Sequence, residues 1–213
     1  MRRPDVKPLA AAERRDLAGF LETLTPEQWQ GPTLCPEWTV HQMVAHVVSY
    51  EELGMPKVIG RIARGRLGGP DANALGVAEY AERSLAELVA FLRDHLTPQG
   101  LTAGFGGAIG LTDGLIHHQD IRRPLGAARQ IPEERLVPAL GMAVWAPILP
   151  GRKIVKGLRL VATDVDWSHG DGPEVTGPGE SLLLAIAGRD VSLGELSGDG
   201  LAAMTERIRS VSR

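Results

Sequence analysis

Apolar side chains repeat at helical spacing through the first 126 residues, and no other feature constrains the fold of this 213-residue chain as strongly. Side chains three or four residues apart lie on one face of a helix, so each repeat predicts a helix with one buried face. The four predicted helices cover residues 9–24, a segment beginning after Thr39, residues 77–96 and residues 108–122. We expect them to form an up-and-down four-helix bundle over residues 1–126.

Helix-breaking and helix-capping residues separate these segments. The Thr25-Pro26 pair ends the first, because a residue before proline disfavours the helical conformation. Thr39 is of the type that caps a helix N-terminus, and a glycine-rich break at residues 65–70 precedes the third segment. The fourth segment contains several glycines, each of which costs about 1 kcal/mol relative to alanine. Such glycines also allow helices to approach closely or a site to open toward a ligand.

The pattern changes after Gly126, and residues 127–213 predict a small α+β unit. Alternating polarity is typical of a partly buried strand, whereas three- and four-residue spacing predicts helix. The predicted elements are, in order, a helix from Pro132 to about Pro147, a strand within residues 158–163, a short partner strand at residues 173–177, and helices over residues 180–187 and 199–208. The chain as a whole is therefore predicted to be mainly α with a small α+β part.

Composition and charge exclude several classes of function. The formal net charge is -3, so the chain lacks the broad basic field that binds nucleic acid. Cys35 is the single cysteine, which excludes an internal disulfide and favours the cytoplasm. No apolar run approaches the roughly 18 residues that span a bilayer, and the charged N-terminus has no signal-peptide core. We expect a cytoplasmic monomer or homodimer without nucleic-acid or membrane partners.

Two histidines and one aspartate predict a metal site inside the bundle. Asp113 and His117 are four residues apart, so they project from the same face of the fourth helix with Cβ atoms about 6 Å apart. His46 lies on the apolar side of the second helix and is the best-placed third ligand. Three protein ligands leave one position for water or substrate, which is the arrangement of catalytic zinc.

Simpler explanations of the same residues stay open at this point. An acid and a histidine four residues apart often form a solvated ion pair, and a histidine on an apolar face is often a hydrogen-bonded core residue. The neighbouring His118 points about 100 degrees away from His117 on a helix. We therefore expect His118 either to support a ligand from behind or to lie at the surface.

Four more residues have both a functional and a structural interpretation. Cys35 stands near a helix start, where the helix dipole can stabilise a thiolate, but a single cysteine more often packs as a small apolar side chain. Trp38 is expected to anchor packing at the mouth of the bundle. Arg122 and Arg123 can hold a substrate carboxylate in a fork, although their position at a helix C-terminus is equally explained by the helix dipole.

Several motifs resemble one family of enzymes. T-L-C-P-E-W-T-V-H-Q-M-V-A-H, which ends at His46, and T-D-G-L-I-H-H-Q-D-I-R-R-P-L-G, over residues 112–126, are similar to the paired signatures of the mycothiol-dependent maleylpyruvate isomerase family, a branch of the DinB-like metalloenzymes. L-R-L-V-A-T-D-V-D-W, G-P-G-E-S-L-L-L-A-I-A-G-R and L-S-G-D-G resemble the C-terminal part of actinobacterial members. The resemblance thus covers most of the chain.

This resemblance implies a DinB-like four-helix bundle, a divalent metal and mycothiol, the low-molecular-weight thiol of actinobacteria, as cosubstrate. It identifies His46, Asp113 and His117 as the metal ligands. The characterised isomerase has glutamate where Asp113 stands, and aspartate is shorter by one methylene, so the ion is expected to sit differently or to bind more weakly. Zinc is the first expectation for the metal, while imidazole and carboxylate also suit nickel and iron.

Together these features predict a metal-dependent, mycothiol-dependent isomerase or S-transferase, in which a metal-bound thiolate attacks a small electrophile. The expected catalytic residues are Asp120, Arg122 and His118. In this hypothesis Asp120 or His118 orients His117 through its second ring nitrogen, and Arg122 binds a substrate carboxylate. The alternative is a non-catalytic DinB-like bundle that binds a small ligand or a protein partner. The sequence leaves the electrophile open, as it does the choice between isomerisation and conjugation.

Overall fold

The computed structural model describes residues 5–67, 71–147 and 149–211 of the chain. Its backbone forms two compact units, Met1–Ala128 and Arg129–Arg213. The helices of the N-terminal unit are α1 (Lys7–Leu21), α2 (Pro26–Trp29), α3 (Val40–Val48), α4 (Met55–Arg66), α5 (Ala72–Tyr80), α6 (Leu85–Asp94) and α7 (Ala108–Arg122). A short 3-10 helix, Gly100–Ala103, precedes α7.

Four of these helices form the bundle that the sequence predicts. Helix α1 packs against α6 and α7, and α3 packs against the same two helices. Burying a large aliphatic side chain contributes roughly 1.5–3 kcal/mol, so a shared core holds α3 and α7 firmly in place. The large side chains of this core include Leu17, Leu21, Met43, Val44, Leu88, Leu92 and Ile121.

Side-chain caps fix where the bundle helices begin. The Thr39 hydroxyl accepts a hydrogen bond from the backbone N–H of Gln42, and the Gln42 side chain accepts one from the N–H of Thr39. This reciprocal capping box confirms the predicted start of the second helix. Ser84 and Glu87 form the same arrangement at the start of α6.

The loop-rich part of the N-terminal unit differs from the prediction. Residues 77–96 are not one helix, because the Ser84 cap starts α6 as a separate helix after α5 has ended. The first helix ends at Leu21 rather than at residue 24, since Thr25 caps the short α2. Helix α4 was not predicted, although Val58, Ile59 and Ile62 have helical spacing.

Helix α7 has the predicted bounds and is largely buried. A Cβ atom at Gly110 would lie 3.1 Å from both the Cβ and the carbonyl oxygen of Thr102, which is tighter than ordinary contact. Glycine at this position therefore lets the 3-10 helix pack directly against α7. Of the two explanations for the glycines of this helix, close approach is the one that Gly110 supports.

The C-terminal unit combines helices with a small sheet. Its elements are α8 (Glu133–Ala143), α9 (Gly151–Ile154), β1 (Arg159–Ala162), β2 (Ser168–His169), β3 (Glu174–Gly177), α10 (Gly179–Ile186) and α11 (Leu201–Val211). The strand order is β2-β1-β3, with β1 antiparallel to β2 and parallel to β3. Helix α10 is largely buried and packs against α8, β1 and β3. The predicted mainly α fold with a small α+β part is confirmed.

Two details of the C-terminal unit differ from the prediction. Helix α8 ends at Ala143 rather than near Pro147. Helix α9 and strand β2 were not predicted, since segments of four and two residues are too short to show a period.

Helix length and polarity bear on membrane insertion. A helix that spans a bilayer needs about 20 predominantly apolar residues. Within the part of the chain that the structure describes, no helix is long and apolar enough to do so.

Candidate metal centre

Two helices of the bundle bring the three predicted ligands together. His46 lies in the last turn of α3, while Asp113 and His117 occupy successive turns of α7. Because α3 and α7 pack directly against each other, the imidazole of one helix meets the carboxylate and imidazole of the other. One ligand atom from each side chain lies within 4.8 Å of the other two.

The distances in this cluster match the size of a divalent-ion site. Asp113 Oδ1 lies 3.9 Å from His46 Nε2 and 3.4 Å from His117 Nε2. Ligand atoms on a tetrahedral ion with bonds of about 2.1 Å are about 3.4 Å apart. The three side chains therefore fit a divalent ion after small adjustments, and the shorter side chain of aspartate still reaches both imidazoles.

Asp120 contacts His117 from behind. Its Oδ2 atom lies 2.8 Å from His117 Nδ1, and Asp120 is fully buried. Because Nδ1 is bound to this carboxylate, Nε2 is the ring nitrogen that faces Asp113. A carboxylate on the remote nitrogen of a metal-binding histidine fixes the ring and raises its basicity. Of the two residues predicted to orient His117, Asp120 has the required contact.

Aromatic rings enclose His46. The Trp38 ring centroid is 4.9 Å from that of His46, and the Tyr50 ring meets it edge-on at 5.8 Å. Trp38 packs at the edge of the bundle core, as predicted. Tyr50 was not predicted, although it follows His46 by four residues and this helical spacing is a signal for contact.

Exposure differs across the cluster. His46 is 5% exposed, whereas the side chain of Asp113 is 32% exposed. The cluster is therefore closed around His46 and accessible at Asp113. A small ligand can reach it from the Asp113 side.

The charges of the cluster shift its pKa values strongly. Burial by itself lowers the pKa of His117, but the charges and hydrogen bonds of Asp113 and Asp120 outweigh burial and raise that pKa to about 9. Burial likewise raises the pKa of Asp113, but His117 and His46 outweigh it and lower that pKa to about 2. In the metal-free protein at neutral pH the cluster is therefore an ion pair with a protonated His117.

His118 belongs to a separate buried network. Its Nδ1 atom lies 2.7 Å from Glu13 Oε1, and Arg122 Nε donates to its Nε2 atom at 2.7 Å. Since an arginine N–H can only donate, Nε2 of His118 is the acceptor and the ring proton is on Nδ1. His118 and Glu13 are both 0% exposed, so the surface position considered for His118 is wrong.

Arg122 is held within the same network. It also donates to the carbonyl of Ala127 at 3.1 Å, and its guanidinium carbon lies 3.8 Å from the centroid of the Phe20 ring. A contact between Arg122 and a substrate carboxylate stays a prediction. Arg123 is the C-cap residue of α7.

Cys35 lies beside Asp120 rather than at a helix start. Helix α3 begins only at Val40. The Cys35 sulfur is 3.7 Å from Asp120 Oδ2, and a neighbouring carboxylate opposes the thiolate form. Its side chain packs at the edge of the core, in agreement with the simpler interpretation.

A buried ion pair in the N-terminal unit was not predicted. Arg14 Nη1 donates to Glu51 Oε2 at 2.8 Å, and both side chains are almost completely buried. The Thr102 hydroxyl and the backbone N–H of Gln99 also donate to Glu51, at 2.6 and 3.0 Å. In the sequence, residues 13–16 read E-R-R-D, which is typical of an exposed helix face, so no pattern marked this pair.

The N-terminal unit matches a family of known domains. The family described as "Mycothiol maleylpyruvate isomerase N-terminal domain" matches residues 10–98. The N-terminal unit is therefore similar to this domain family over most of its length. The matched residues include His46 and end before α7, so Asp113 and His117 lie outside them.

A solved structure shares the fold of the chain. The crystal structure of a histidine-to-alanine mutant of mycothiol-dependent maleylpyruvate isomerase is similar with a TM-score of 0.59 and 16% sequence identity, over 91% of each chain. At this identity the likeness shows the fold alone. No curated protein matches the sequence. The resemblance to the maleylpyruvate isomerase family is confirmed by the N-terminal match together with the shared fold.

Proposed function

We propose that this chain is a cytoplasmic metal-dependent enzyme that uses mycothiol, either as an isomerase or as an S-transferase acting on a small electrophile. The observation that carries the proposal is the cluster of His46, Asp113 and His117, whose ligand atoms lie within 4.8 Å of one another. The N-terminal family match and the shared fold support the choice of mycothiol as the thiol.

The donor atoms of the cluster suit a divalent cation, for which zinc is our first choice. Two imidazole nitrogens and one carboxylate oxygen are typical of catalytic zinc sites, which keep a fourth position for an exogenous ligand. A bound cation of this kind stabilises the deprotonated form of a coordinated thiol and so supplies a nucleophile near neutral pH.

The residues around the cluster have separate tasks in this proposal. Asp120 holds Nδ1 of His117, so that Nε2 stays directed toward the ligand position. The rings of Trp38 and Tyr50 pack against the His46 ring and hold it in place. Asp113, whose side chain is partly exposed, marks the side from which thiol and electrophile enter.

The proposed reaction begins when the thiolate sulfur bonds to an electrophilic carbon of the substrate. In an isomerase the adduct rotates about the former double bond and then expels the thiol unchanged. In a transferase acting on an alkyl halide, the carbon–halogen bond breaks as the carbon–sulfur bond forms, halide is released, and the conjugate leaves with the thiol attached. Both outcomes require the thiol, and this requirement separates the proposed enzyme from a bundle that only binds ligands.

Turnover with and without the thiol tests the proposal. Zinc-loaded protein is assayed on a maleyl-type substrate and on an alkyl halide, in the presence and absence of mycothiol. We expect turnover only when metal and mycothiol are both present, and its loss in His46→Ala. His41→Ala is the matched control, because His41 lies on the same helix but donates to the carbonyl of Arg83.

Two outcomes contradict the proposal. Equal turnover without mycothiol shows that the chemistry does not depend on the thiol. Binding of a small ligand that needs no metal and is unaffected by His46→Ala, without turnover, supports the non-catalytic bundle instead.

A further inference from the structure

The loop that leads into α3 contacts Asp120 at two points. The backbone N–H of Leu34 donates to the carbonyl oxygen of Asp120 at 3.0 Å. The sulfur of Cys35 lies 3.7 Å from Oδ2 of the same residue. This Oδ2 atom also holds His117 Nδ1 at 2.8 Å. One carboxylate oxygen therefore connects the loop to a proposed metal ligand.

Hydrogen bonds within the loop hold Cys35 in place. The Thr33 hydroxyl lies 3.0 Å from the carbonyl oxygen of Cys35 and 2.9 Å from that of Trp38. The N–H of Cys35 donates to the Thr33 hydroxyl at 3.1 Å, and the N–H of Trp38 donates to the Cys35 carbonyl at 2.9 Å. The backbone of the loop thus sets the position of the thiol beside Asp120.

A buried carboxylate depends on its hydrogen-bond donors. Asp120 is fully buried, and a buried charged oxygen that loses a donor is destabilised because no water replaces it. A donor also restricts the rotation of the carboxylate about its own axis. A thiol is a weak donor, so its loss should alter the orientation of Asp120 without unfolding the bundle.

We infer that Cys35 is a positioning residue of the metal centre, whose thiol donates a hydrogen bond to Asp120 and thereby keeps Oδ2 on Nδ1 of His117. In this role Cys35 stays a neutral thiol and touches neither the ion nor the substrate. This inference rests on one part of the proposed function, which is that a metal ion binds at His46, Asp113 and His117.

A pair of substitutions of similar size tests this role. Cys35→Ala removes the donor, whereas Cys35→Ser keeps a donor, and a stronger one, on a slightly shorter side chain. Loss of an outer partner of a metal ligand typically weakens metal binding about 10- to 100-fold. Because Cys35 acts one step further away, we expect Cys35→Ala to raise the zinc dissociation constant about three- to tenfold and Cys35→Ser to stay within about twofold of wild type.

Two measurements separate positioning from a general structural effect. Zinc dissociation constants are obtained by competition with a chromophoric chelator, and the visible spectrum of the cobalt-substituted protein reports the ligand geometry. We expect Cys35→Ala to change both, and Cys35→Ser to restore both. Circular dichroism of the metal-free variants checks that each one is folded.

A double-mutant cycle tests whether Cys35 acts through Asp120. In an Asp120→Asn background, the further change Cys35→Ala should alter the zinc dissociation constant by less than about twofold. The inference is overturned if Cys35→Ala binds zinc as wild type does, or if it loses the same factor in both backgrounds. If the wild-type protein does not bind zinc, the proposed function is wrong. If it binds zinc with an affinity that does not depend on residue 35, only the inference about Cys35 is wrong.

Discussion

Two adjacent histidines of α7 each have a carboxylate at Nδ1 and yet lie in different surroundings. His117 contacts Asp120 at Nδ1 and faces Asp113 with Nε2, close to the imidazole of His46. His118 contacts Glu13 at Nδ1 and accepts a hydrogen bond from an arginine at Nε2. Both histidines are buried, and both carboxylates behind them are buried as well.

The second ring nitrogen decides what each histidine can do. At His117 this nitrogen faces two further potential ligand atoms, one of them on the partly exposed side chain of Asp113, which is the arrangement that the proposed metal site requires. At His118 the guanidinium of Arg122 already occupies the corresponding position. A buried carboxylate–histidine pair is therefore not by itself a metal site, and the partner of the second nitrogen distinguishes the two.

Removing each histidine in turn should show the largest difference between the two sites. We expect His117→Ala to weaken zinc binding more than about 100-fold, because a lost ligand costs more than a lost outer partner. His118→Ala should leave zinc affinity unchanged but lower the free energy of unfolding by about 2–4 kcal/mol, since Glu13 and Arg122 then face a cavity. Zinc titration and urea unfolding of the metal-free proteins measure the two effects. Equal loss of zinc binding in both variants contradicts the assignment.

Neutralising the carboxylate behind each histidine should give a smaller difference in zinc affinity between the two variants. Asp120→Asn is expected to weaken zinc binding about 10- to 100-fold, because the His117 ring loses both its orientation and part of its basicity. Glu13→Gln should leave zinc affinity unchanged and reduce stability alone. Chelator competition on both variants measures this contrast. A zinc affinity that responds equally to both substitutions means that the two networks are not separate.

The pH dependence of zinc binding tests whether His117 is protonated in the metal-free protein. In the metal-free protein the pKa of His117 is raised to about 9, so a cation at Nε2 must displace a proton at neutral pH. We therefore expect the apparent zinc dissociation constant to fall about tenfold for each unit of pH up to about 9 and to level off above it. Calorimetry in buffers of different ionisation enthalpy should detect the released proton. An affinity that does not change with pH in this range excludes a protonated His117.

The stability of the metal-free protein should depend on the protonation of His117 and Asp113. The pKa of His117 is raised from 6.5 to about 9, so its contribution is complete below pH 6.5 and is lost as pH rises through 9. The pKa of Asp113 is lowered from 3.8 to about 2, so its contribution is present above pH 3.8 and is lost as pH falls through 2. We expect the thermal unfolding temperature to decline between pH 6.5 and 9, and this decline to be reduced in His117→Ala. A decline of the same size in that variant assigns the effect to other groups.

Replacing Asp113 with the longer glutamate should have the smallest effect on zinc affinity. Asp113 Oδ1 already lies within 3.9 Å of both imidazole nitrogens. We therefore expect Asp113→Glu to change zinc affinity by less than about tenfold in either direction. This change is smaller than the loss expected on removing an outer partner of a ligand. The chelator competition used above measures it. A gain much larger than tenfold means that aspartate is too short for this site.

The sequence predicted the bounds of α7 and the closeness of Asp113 and His117 well, because both depend on local spacing. The four-residue interval between Asp113 and His117 needs only a helix to place both side chains on one face. The start of α3 was equally predictable, since Thr39 and Gln42 lie within one turn. The split between α5 and α6 was missed, although Ser84 and Glu87 have the spacing of a capping box.

The roles of Asp120 and His118 could not be separated from the sequence. Both lie near His117 along α7, and the distinction depends on Glu13, which contacts His118 from a helix far away in the chain. The contact of Cys35 with Asp120 likewise joins residues that are 85 positions apart. Such contacts depend on tertiary packing, which no local spacing reports.

The most direct test of the metal centre is a crystal structure of the zinc-loaded protein, with diffraction recorded on both sides of the zinc absorption edge. We predict one anomalous peak per chain, at about 2.0–2.2 Å from His46 Nε2, Asp113 Oδ1 and His117 Nε2. A peak at other residues, or none at the cluster in protein that carries stoichiometric zinc, contradicts a metal centre at these three side chains.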